Sequence, residues 1–309
     1  MARIVAFDPP SNYVRSSADV PTLLVAVGTY VTFGLLTWYS HVIPWWLLLP
    51  LGGYTVALHG SLQHEAVHGF PFRGRFLNSL LVYPSLWLWL PYLSYRESHL
   101  THHRDERLTC PIDDPESNYL TPEQWAALGP LHRRLRLVMT TVAGRLLVTP
   151  LYCVYRAARQ LLRAIATRDM QHLGQWLVHV PAVAIVLWWV MGICDMSFWK
   201  YVFCFAYPGL SLTLLRSFCE HRAAPEVGSR TAIVEAGPVM SLLYLNNNLH
   251  FVHHNEPSSP WHGRPARYRQ VRDQVFAANG GYRLAGYGEI LRRWFLTPKE
   301  PVIHPQGRP

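Results

Sequence analysis

The sequence predicts an all-α, polytopic membrane protein: four transmembrane helices in two hairpins, interfacial helices and a cytosolic cap rich in histidine. Composition, apolar stretches and the distribution of basic residues support this fold class. The chain has 309 residues, of which 50% are hydrophobic and only 15% are charged. Soluble domains carry about 25% charged residues, so this composition favours a membrane protein. We expect a cytosolic lead-in (1–20), a membrane domain (21–260) and a cytosolic C-terminal tail (261–309).

Four uncharged or nearly uncharged apolar stretches have about the 20-residue length that a helix needs to cross a bilayer. They are residues 21–39, 44–62, 176–191 and 198–215. A fifth apolar stretch, 76–95, is broken by Pro84 and Pro91, and it is predicted to form a re-entrant or interfacial helical hairpin. Residues 233–254 are predicted to form a further, mostly apolar helix.

Basic residues indicate the orientation of these spans. The two short loops 40–43 and 192–197 contain no Lys or Arg, although the chain has 28 basic residues. The positive-inside rule then places both termini and all histidine clusters in the cytoplasm of an integral, multi-pass protein. Arginines recur among leucines and valines in 131–168, which predicts basic amphipathic helices lying on the membrane: Arg133, Arg134, Arg136, Arg145, Arg156, Arg159, Arg163 and Arg168.

The charge and the cysteines exclude two other classes. A net charge of +9 could suggest nucleic acid, but no nucleic-acid-binding motif accompanies it, so we expect no such partner. The five cysteines form no C-x-x-C pair, which argues against a disulfide framework or a thiolate zinc site. The N-terminal 20 residues lack the apolar core of a signal peptide.

The histidines carry the chemistry. Residues 99–103 and 250–254 both read H-x-x-H-H, and residues 64–68 read HEAVH. Because residues three and four apart share one helical face, an H-x-x-H-H run aims two or three imidazoles at one point. Neutral imidazole binds iron, zinc, copper and nickel, and eight such ligands exceed the need of one ion. The candidate ligands are His64, His68, His99, His102, His103, His250, His253 and His254.

The other histidines are interpreted separately. His221 follows the fourth apolar stretch at the predicted cytosolic end, and we expect it to be an additional ligand. We expect ordinary hydrogen-bonded roles for His41, His59, His132, His172, His179, His262 and His304. Nearby acidic residues are expected to orient imidazoles or to be solvated rather than to bind metal: Glu65, Glu97, Asp105, Glu106 and Glu220.

The first cluster also fits a different class of enzyme. His64-Glu65-Ala66-Val67-His68 matches H-E-x-x-H, the zinc-protease motif in which Glu is the general base. An intramembrane metalloprotease needs one zinc ion and one more ligand. That alternative gives no role to the two H-x-x-H-H clusters.

The three clusters, interleaved with two membrane hairpins over roughly residues 20–260, resemble the membrane fatty acid desaturase and hydroxylase family. The resemblance implies two Fe ions on the cytosolic face, O2 as co-substrate and attack on an unactivated C–H bond. It implies that the eight clustered histidines are iron ligands, and His221 matches an extra histidine after the fourth helix. Acyl-CoA desaturases have an Asn four residues before that histidine; here the position is Ser217, and Asn246 is a candidate substitute.

The function expected from this resemblance is desaturation of a fatty acyl or lipid chain. The alternative is a hydroxylase or desaturase that acts on a non-lipid metabolite or a carotenoid. The sequence lacks the H-P-G-G haem motif, so the electrons are expected from a ferredoxin- or rubredoxin-type donor and its reductase. The basic stretches 131–168 and 264–293 are candidate docking faces for such an acidic protein.

Overall fold

The computed structural model describes Phe7 and residues 18–305, and these residues are mostly helical. They form two compact units. The apolar unit contains residues 18–97 and Thr149–Thr213, and the histidine-rich unit contains Phe7, Ser98–Val148 and 214–305. Apart from Phe7 and 18–20, the predicted lead-in of residues 1–20 lies outside the described residues.

The apolar unit is built from long helices and the short segments between them. Its helices are α1 (Val20–Trp38), α2 (Trp45–Val67), α3 (Arg75–Leu81), the start of α4 (Tyr92–His102), α8 (Thr149–Thr167), α9 (Met170–Leu187), α10 (Phe198–Tyr201) and the start of α11 (Tyr207–Glu220). A wider π-helical turn, Trp188–Ile193, extends α9, and another, Val202–Ala206, joins α10 to α11.

All four predicted spans lie on helices. Three helical segments among the described residues are long and apolar enough to cross a membrane: Val20–Trp38, Met170–Ile193 and Phe198–Glu220. The second predicted span lies on α2, which has 23 residues and ends in the polar sequence Gln63-His64-Glu65. The length of α2 suffices for a span, but its crossing remains a prediction.

Small residues let α2 pack closely against the turn that joins α10 to α11. A Cβ atom added at Gly53 would lie 2.8 Å from Cβ of Pro208, and one at Gly52 would collide with the backbone oxygen of Cys204. Close approach at glycines is the usual way for apolar helices to gain contact without a hydrophobic driving force.

The proline-broken stretch 76–95 forms two helices, α3 and α4, with an irregular segment between them. Neither helix is long enough to span a bilayer. Side chains satisfy the backbone of the irregular segment: Tyr201 donates to the carbonyl of Leu86 at 2.5 Å, and His179 lies 3.0 Å from the carbonyl of Leu88. Such internal hydrogen bonds are what irregular backbone needs at membrane depth. The re-entrant or interfacial placement itself stays a prediction.

The histidine-rich unit consists of shorter elements. They are the end of α4, α5 (Pro122–Ala126), α6 (Pro130–Val138), α7 (Val142–Leu147), the end of α11, β1 (Ile233–Val234), α12 (Pro238–Leu243), α13 (His250–Asn255), α14 (Arg264–Ala278), β2 (Arg283–Leu284) and α15 (Tyr287–Trp294). The strands β1 and β2 pair in parallel, with Ile233 opposite Arg283 and Val234 opposite Leu284.

The prediction of one helix over residues 233–254 is wrong. This stretch contains β1, α12, a run of turns and α13 instead. Leu245 and Asn246 have positive φ angles of 47° and 54°, which end the helical path before the histidines begin. Hydropathy detected the buried character of the stretch but not these breaks.

Residues after 260, predicted as a cytosolic tail, are folded within the histidine-rich unit as α14, β2 and α15. The segment that follows α15 is held by backbone hydrogen bonds of 2.9 Å, from Lys299 to Thr140, from Leu120 to Val302 and from His304 to Leu120. The cytosolic location of the tail remains a prediction, as do the domain boundaries at 20/21 and 260/261.

The arginine-rich stretch 131–168 forms α6, α7 and α8. Arg136 and Arg145 are buried, and both donate to Asn118. Arg136 donates to the backbone carbonyl of Asn118 at 2.7 Å, and Arg145 donates to the side-chain oxygen of Asn118 at 2.9 Å. The prediction that they lie on a membrane face is therefore wrong for these two. Because each is a buried side chain with a hydrogen-bond partner, each has a structural role instead.

Candidate metal centre

The helix α13 shows how the pattern H-x-x-H-H separates two tasks. Its six residues are all buried. Phe251 and Val252 belong to an apolar cluster with Tyr268 and Val271 of α14. Since residues three and four apart share a face, His250, His253 and His254 lie together on the other side. The apolar contacts thus fix a rigid backbone that presents three imidazoles.

Histidines of the second cluster lie at the end of α4. His99, His102 and His103 are all buried, and the backbone N–H of His103 donates to His99 at 3.0 Å, which continues the helical path past the last residue of α4. The sequence between them, Leu100-Thr101, occupies the opposite side. This arrangement follows from the spacing alone.

Four histidines of the histidine-rich unit converge on one place, here called the first group: His102, His221, His250 and His254. Each offers a ring nitrogen that lies within 4.8 Å of those of the others. The Nε2 atom of His221 lies 3.0 Å from Nε2 of His102 and 3.0 Å from Nε2 of His250. His221 comes directly after α11, so the end of that helix delivers it to the group.

The hydrogen bonds on the far side of these rings determine which nitrogen faces the group. Nδ1 of His221 lies 3.3 Å from the carbonyl oxygen of Arg230, and Nδ1 of His250 lies 3.3 Å from that of Asn247. A carbonyl oxygen can only accept, so each Nδ1 carries the hydrogen. In the neutral rings, Nε2 then presents a lone pair, and the two lone pairs face each other at 3.0 Å.

Two facing lone pairs repel each other unless a cation lies between them. A proton is disfavoured there because burial lowers the pKa of His221 and of His250 well below the usual value. The neutral Nε2 atoms of His221 and His250 therefore keep lone pairs that are available to a metal ion. The chemistry of this donor set therefore fits a bound metal, with each Nδ1–H oriented by an acceptor as metal-bound imidazoles usually are.

Carboxylates stabilise positive charge beside His102. Its Nδ1 lies 3.0 Å from Oδ1 of Asp114, which also accepts from the backbone N–H of Glu116 at 2.9 Å. Burial alone would lower the pKa of His102, but Asp114 and Glu116 outweigh it and raise the pKa to about 9. Burial likewise opposes ionisation of Glu116, yet His102 and His99 hold its pKa at about 2. The local field thus favours a cation at this position.

Three further histidines of the same unit form a second group: His99, His103 and His253. Nε2 of His103 lies 3.1 Å from Nε2 of His99 and 3.1 Å from Nε2 of His253. Nδ1 of His99 lies 3.2 Å from Oε1 of Glu116, and Oε2 of the same carboxylate lies 3.9 Å from Nε2 of His102, so Glu116 is close to a ring of each group. The second group repeats the convergence of ring nitrogens seen in the first.

The HEAVH sequence lies at the end of α2 in the apolar unit. The rings of His64 and His68 have centroids 4.8 Å apart. Nδ1 of His64 lies 3.1 Å from Oε1 of Glu65, which is fully buried. A protease base must reach a water molecule and a substrate. Glu65 is instead in contact with a candidate ligand, which suits an orienting role.

Some of the acidic residues considered from sequence contact a histidine, and others do not. Glu65 contacts His64, and Oε1 of Glu220 lies 3.3 Å from Nδ1 of His250, so both carboxylates are placed where they would orient an imidazole. Glu97 instead accepts from the side chains of two glutamines, Gln171 and Gln175. Glu106 is exposed, and the side chain of Asp105 lies outside the description.

Sequence reasoning missed Asp114 and Glu116, which bind the rings of His102 and His99. The signal available was the acidic sequence Asp113-Asp114-Pro115-Glu116 soon after the second cluster. Acidic residues are common in exposed loops, so that signal was weak. Their role depends on a loop that turns back on α4.

Asn246 was considered from sequence as a substitute for the Asn that acyl-CoA desaturases have at the position of Ser217. Asn246 donates to the carbonyl of Trp261 at 3.1 Å, whereas Asn247 donates to Oε1 of Glu220 at 3.2 Å. Asn247 is therefore the asparagine that contacts the histidine network. Ser217 lines a cavity of about 80 Å³ beside His102 and His221.

Comparison with known families agrees with this geometry. The model of the fatty acid desaturase family matches residues 20–285. The chain belongs to the fatty acid desaturase family. No curated protein matches the chain. The family is one of oxidoreductases that use iron, and the imidazole donor sets of this desaturase family member suit a divalent transition metal such as Fe(II).

Proposed function

We propose that this protein is an O2-dependent, membrane-bound di-iron desaturase that introduces a double bond into a fatty acyl or lipid chain. Support comes from the family, from the two groups of converging histidines and from the apolar helices. The proposed iron ligands are the nine histidines His64, His68, His99, His102, His103, His221, His250, His253 and His254.

One observation carries the proposal of a metal: the Nε2 atoms of His221 and His250 lie 3.0 Å apart while each Nδ1 lies 3.3 Å from a backbone carbonyl oxygen. Bound iron would supply the activation of O2 and the oxidation of an unactivated C–H bond. The protein's own groups hold the imidazoles in one tautomer and orientation, above all Asp114 for His102 and Glu116 for His99.

The substrate is proposed to enter from the bilayer, because an acyl chain partitions there and three helical segments of the described residues have spanning length. We propose that α2 also crosses the membrane, which gives four spans in all. We propose further that both termini and the histidines lie in the cytoplasm. The loops 40–43 and 192–197 carry no Lys or Arg, which supports this orientation.

The proposal is tested by lipid profiling of a host that expresses the wild type or His253→Ala, with a ferredoxin and its reductase supplied. We expect an acyl product two hydrogens lighter than its precursor, present only with the wild type. A product heavier by one oxygen would show hydroxylation instead. Full activity of His253→Ala would contradict the assignment of this residue as a ligand, and iron analysis of both purified proteins checks the metal directly.

An acidic electron donor is proposed to dock on exposed arginines of the histidine-rich unit. Arg134, Arg269 and Arg292 are exposed, whereas Arg264 and Arg267 of the same basic stretches are buried. Opposite charges across a docking face raise the association rate and make it depend on salt. Arg134→Glu with Arg292→Glu should slow reduction and weaken its salt dependence, and the matched Arg→Lys changes should not. Unchanged reduction in the Glu variants would contradict this docking face.

A further inference from the structure

We propose that the apolar unit contains a binding subsite for a hydroxyl group carried by an otherwise apolar ligand. This inference rests on the proposed function and names its substrate class: a hydroxylated hydrocarbon chain rather than a plain acyl chain. The subsite is a cavity of about 60 Å³ between α2, α3, α4 and α9. Its polar lining includes Gln63, Tyr83, Ser85, Tyr92, Gln175 and His179.

Two of these side chains are buried without a hydrogen-bond partner in the part of the chain that the structure describes. They are Gln63, through its side-chain oxygen, and Ser85, through its hydroxyl. Gln63 is 1% exposed and Ser85 is 3% exposed. A buried polar atom that forms no hydrogen bond is costly. Among the residues that line this cavity, these are the two with such atoms, so a ligand bound there would relieve that cost.

The other polar groups around the cavity already have partners. The amide oxygen of Gln175 accepts from Ser94 at 2.5 Å, and its amide nitrogen donates to Glu97 at 2.7 Å. The hydroxyl of Tyr83 donates to the carbonyl of Val178 at 2.9 Å. These bonds fix the walls of the cavity. They leave the side chains of Gln63 and Ser85 as the groups that would recognise a ligand.

The donor and acceptor pattern identifies the ligand chemistry. The residues that line this cavity include no Asp, Glu, Lys or Arg, so a charged group would be buried without a counter-charge. The oxygen of Gln63 can only accept, while the hydroxyl of Ser85 can donate or accept. A carbonyl on the ligand would leave Gln63 unsatisfied. A hydroxyl group matches both in chemistry, because it can donate to the oxygen of Gln63 and accept from the hydroxyl of Ser85.

The size and position of the cavity agree with part of a longer molecule. A cavity needs about 10–15 Å³ to hold one water molecule, so about 60 Å³ accommodates a hydroxyl and a few adjoining carbon atoms. Gln63 directly precedes the proposed ligand His64 on α2. A hydroxyl bound by Gln63 would therefore position the chain near the end of the helix that carries HEAVH.

The test measures ligand-dependent thermal stability of the purified full chain, with its metal, in non-ionic detergent micelles. The probes are hexadecane, hexadecan-1-ol and hexadecan-8-ol at equal mole fraction. A ligand that binds the native state raises the unfolding midpoint. We expect at least one alcohol to raise it by about 2–4 °C above hexadecane for the wild type. Gln63→Met and Ser85→Ala should each abolish that difference.

Thr55→Val is the matched control. Thr55 is buried on α2, but its hydroxyl donates within the helix to the carbonyl of Leu51 at 2.8 Å. This variant should retain the alcohol effect. Equal midpoints with alcohols and hexadecane in the wild type would overturn the proposal and leave water as the occupant. An alcohol effect that survives in Ser85→Ala and Gln63→Met would also overturn it. The stability test measures ligand binding and no turnover. A failure of the proposed desaturation would therefore appear in the lipid profile and not in the unfolding midpoints.

Discussion

Asp114 is the residue on which the orientation of His102 depends. It accepts from the ring of His102, and its other oxygen accepts from the backbone N–H of Thr109 at 2.9 Å, so its carboxylate is fixed. We predict that Asp114→Asn weakens metal binding by about 10–100-fold, since removal of such an outer partner usually has that effect. The measurement is the iron content after dialysis against graded concentrations of a chelator.

Asp113→Asn is the control for that prediction. Asp113 is adjacent in sequence and half exposed, and its carboxylate lies 3.7 Å from Arg107 rather than beside a histidine. Its chelator profile should match that of the wild type. Identical profiles for all three proteins would mean that the contact between Asp114 and His102 contributes nothing to metal binding.

His221 provides the residue-scale test of the first group. It is the one proposed ligand outside the three histidine clusters of the sequence, and its ring lies between His102 and His250. We predict that His221→Ala loses about half of the bound iron, because one of two ions loses a central ligand. Elemental analysis of the purified protein measures this. The exposed His132→Ala should keep its full iron content, and full content in His221→Ala would contradict the assignment.

At the same scale, spacing predicted the histidines well and their partners poorly. The i, i+3 and i, i+4 pattern is a local property of a helix, so the shared face of His99, His102 and His103 could be read from sequence. The spacing did not reveal that His102 joins the first group while His99 and His103 join the second. Contact between Asp114 and His102 depends on the path of a loop. Asn247 rather than Asn246 meets Glu220 because turns at 244–249 change the direction of the chain. No periodicity encodes such turns.

Among the elements, α8 combines features of a helix at a membrane surface. Its exposed apolar side chains form one face: Leu151, Val154, Tyr155, Leu162 and Ile165. Arg156, Arg159 and Arg163 are also exposed and follow one another along a different face. Exposed apolar residues beside a basic stripe are typical of helices that lie in the headgroup region.

We predict opposite accessibility for the two faces of α8. In native membranes, a cysteine in Ile165→Cys should react several-fold more slowly with a water-soluble maleimide than one in Arg163→Cys, since the apolar face would lie against acyl chains. A charged, water-soluble maleimide does not enter the acyl-chain region of the membrane, so it does not reach a cysteine that lies there. The unmodified chain gives the background from its own cysteines. Equal rates for the two variants would show that α8 lies in water.

For the whole molecule, sequence predicted the long apolar helices because hydropathy and length act over about 20 residues, a range that local turns do not disturb. It failed where short elements alternate, as in residues 233–254, and where a basic residue is buried, as at Arg145. For helix α2, length and hydropathy give different indications. Its length suits a span, while Gln63-His64-Glu65 at its end lower its hydropathy.

Whether α2 crosses the membrane decides the topology of the chain, and it gives the last prediction. Residues 41 and 73, on the two sides of α2, are exposed. If α2 crosses, an impermeant maleimide added to intact cells labels His41→Cys but not Arg73→Cys, and cell lysis exposes Arg73→Cys to label. Arg269→Cys should behave as Arg73→Cys does, because basic segments remain in the cytoplasm. Labelling of both His41→Cys and Arg73→Cys in intact cells would show that α2 does not cross. In that case α1 would have no second span in its predicted hairpin, and HEAVH would lie outside the cytoplasm.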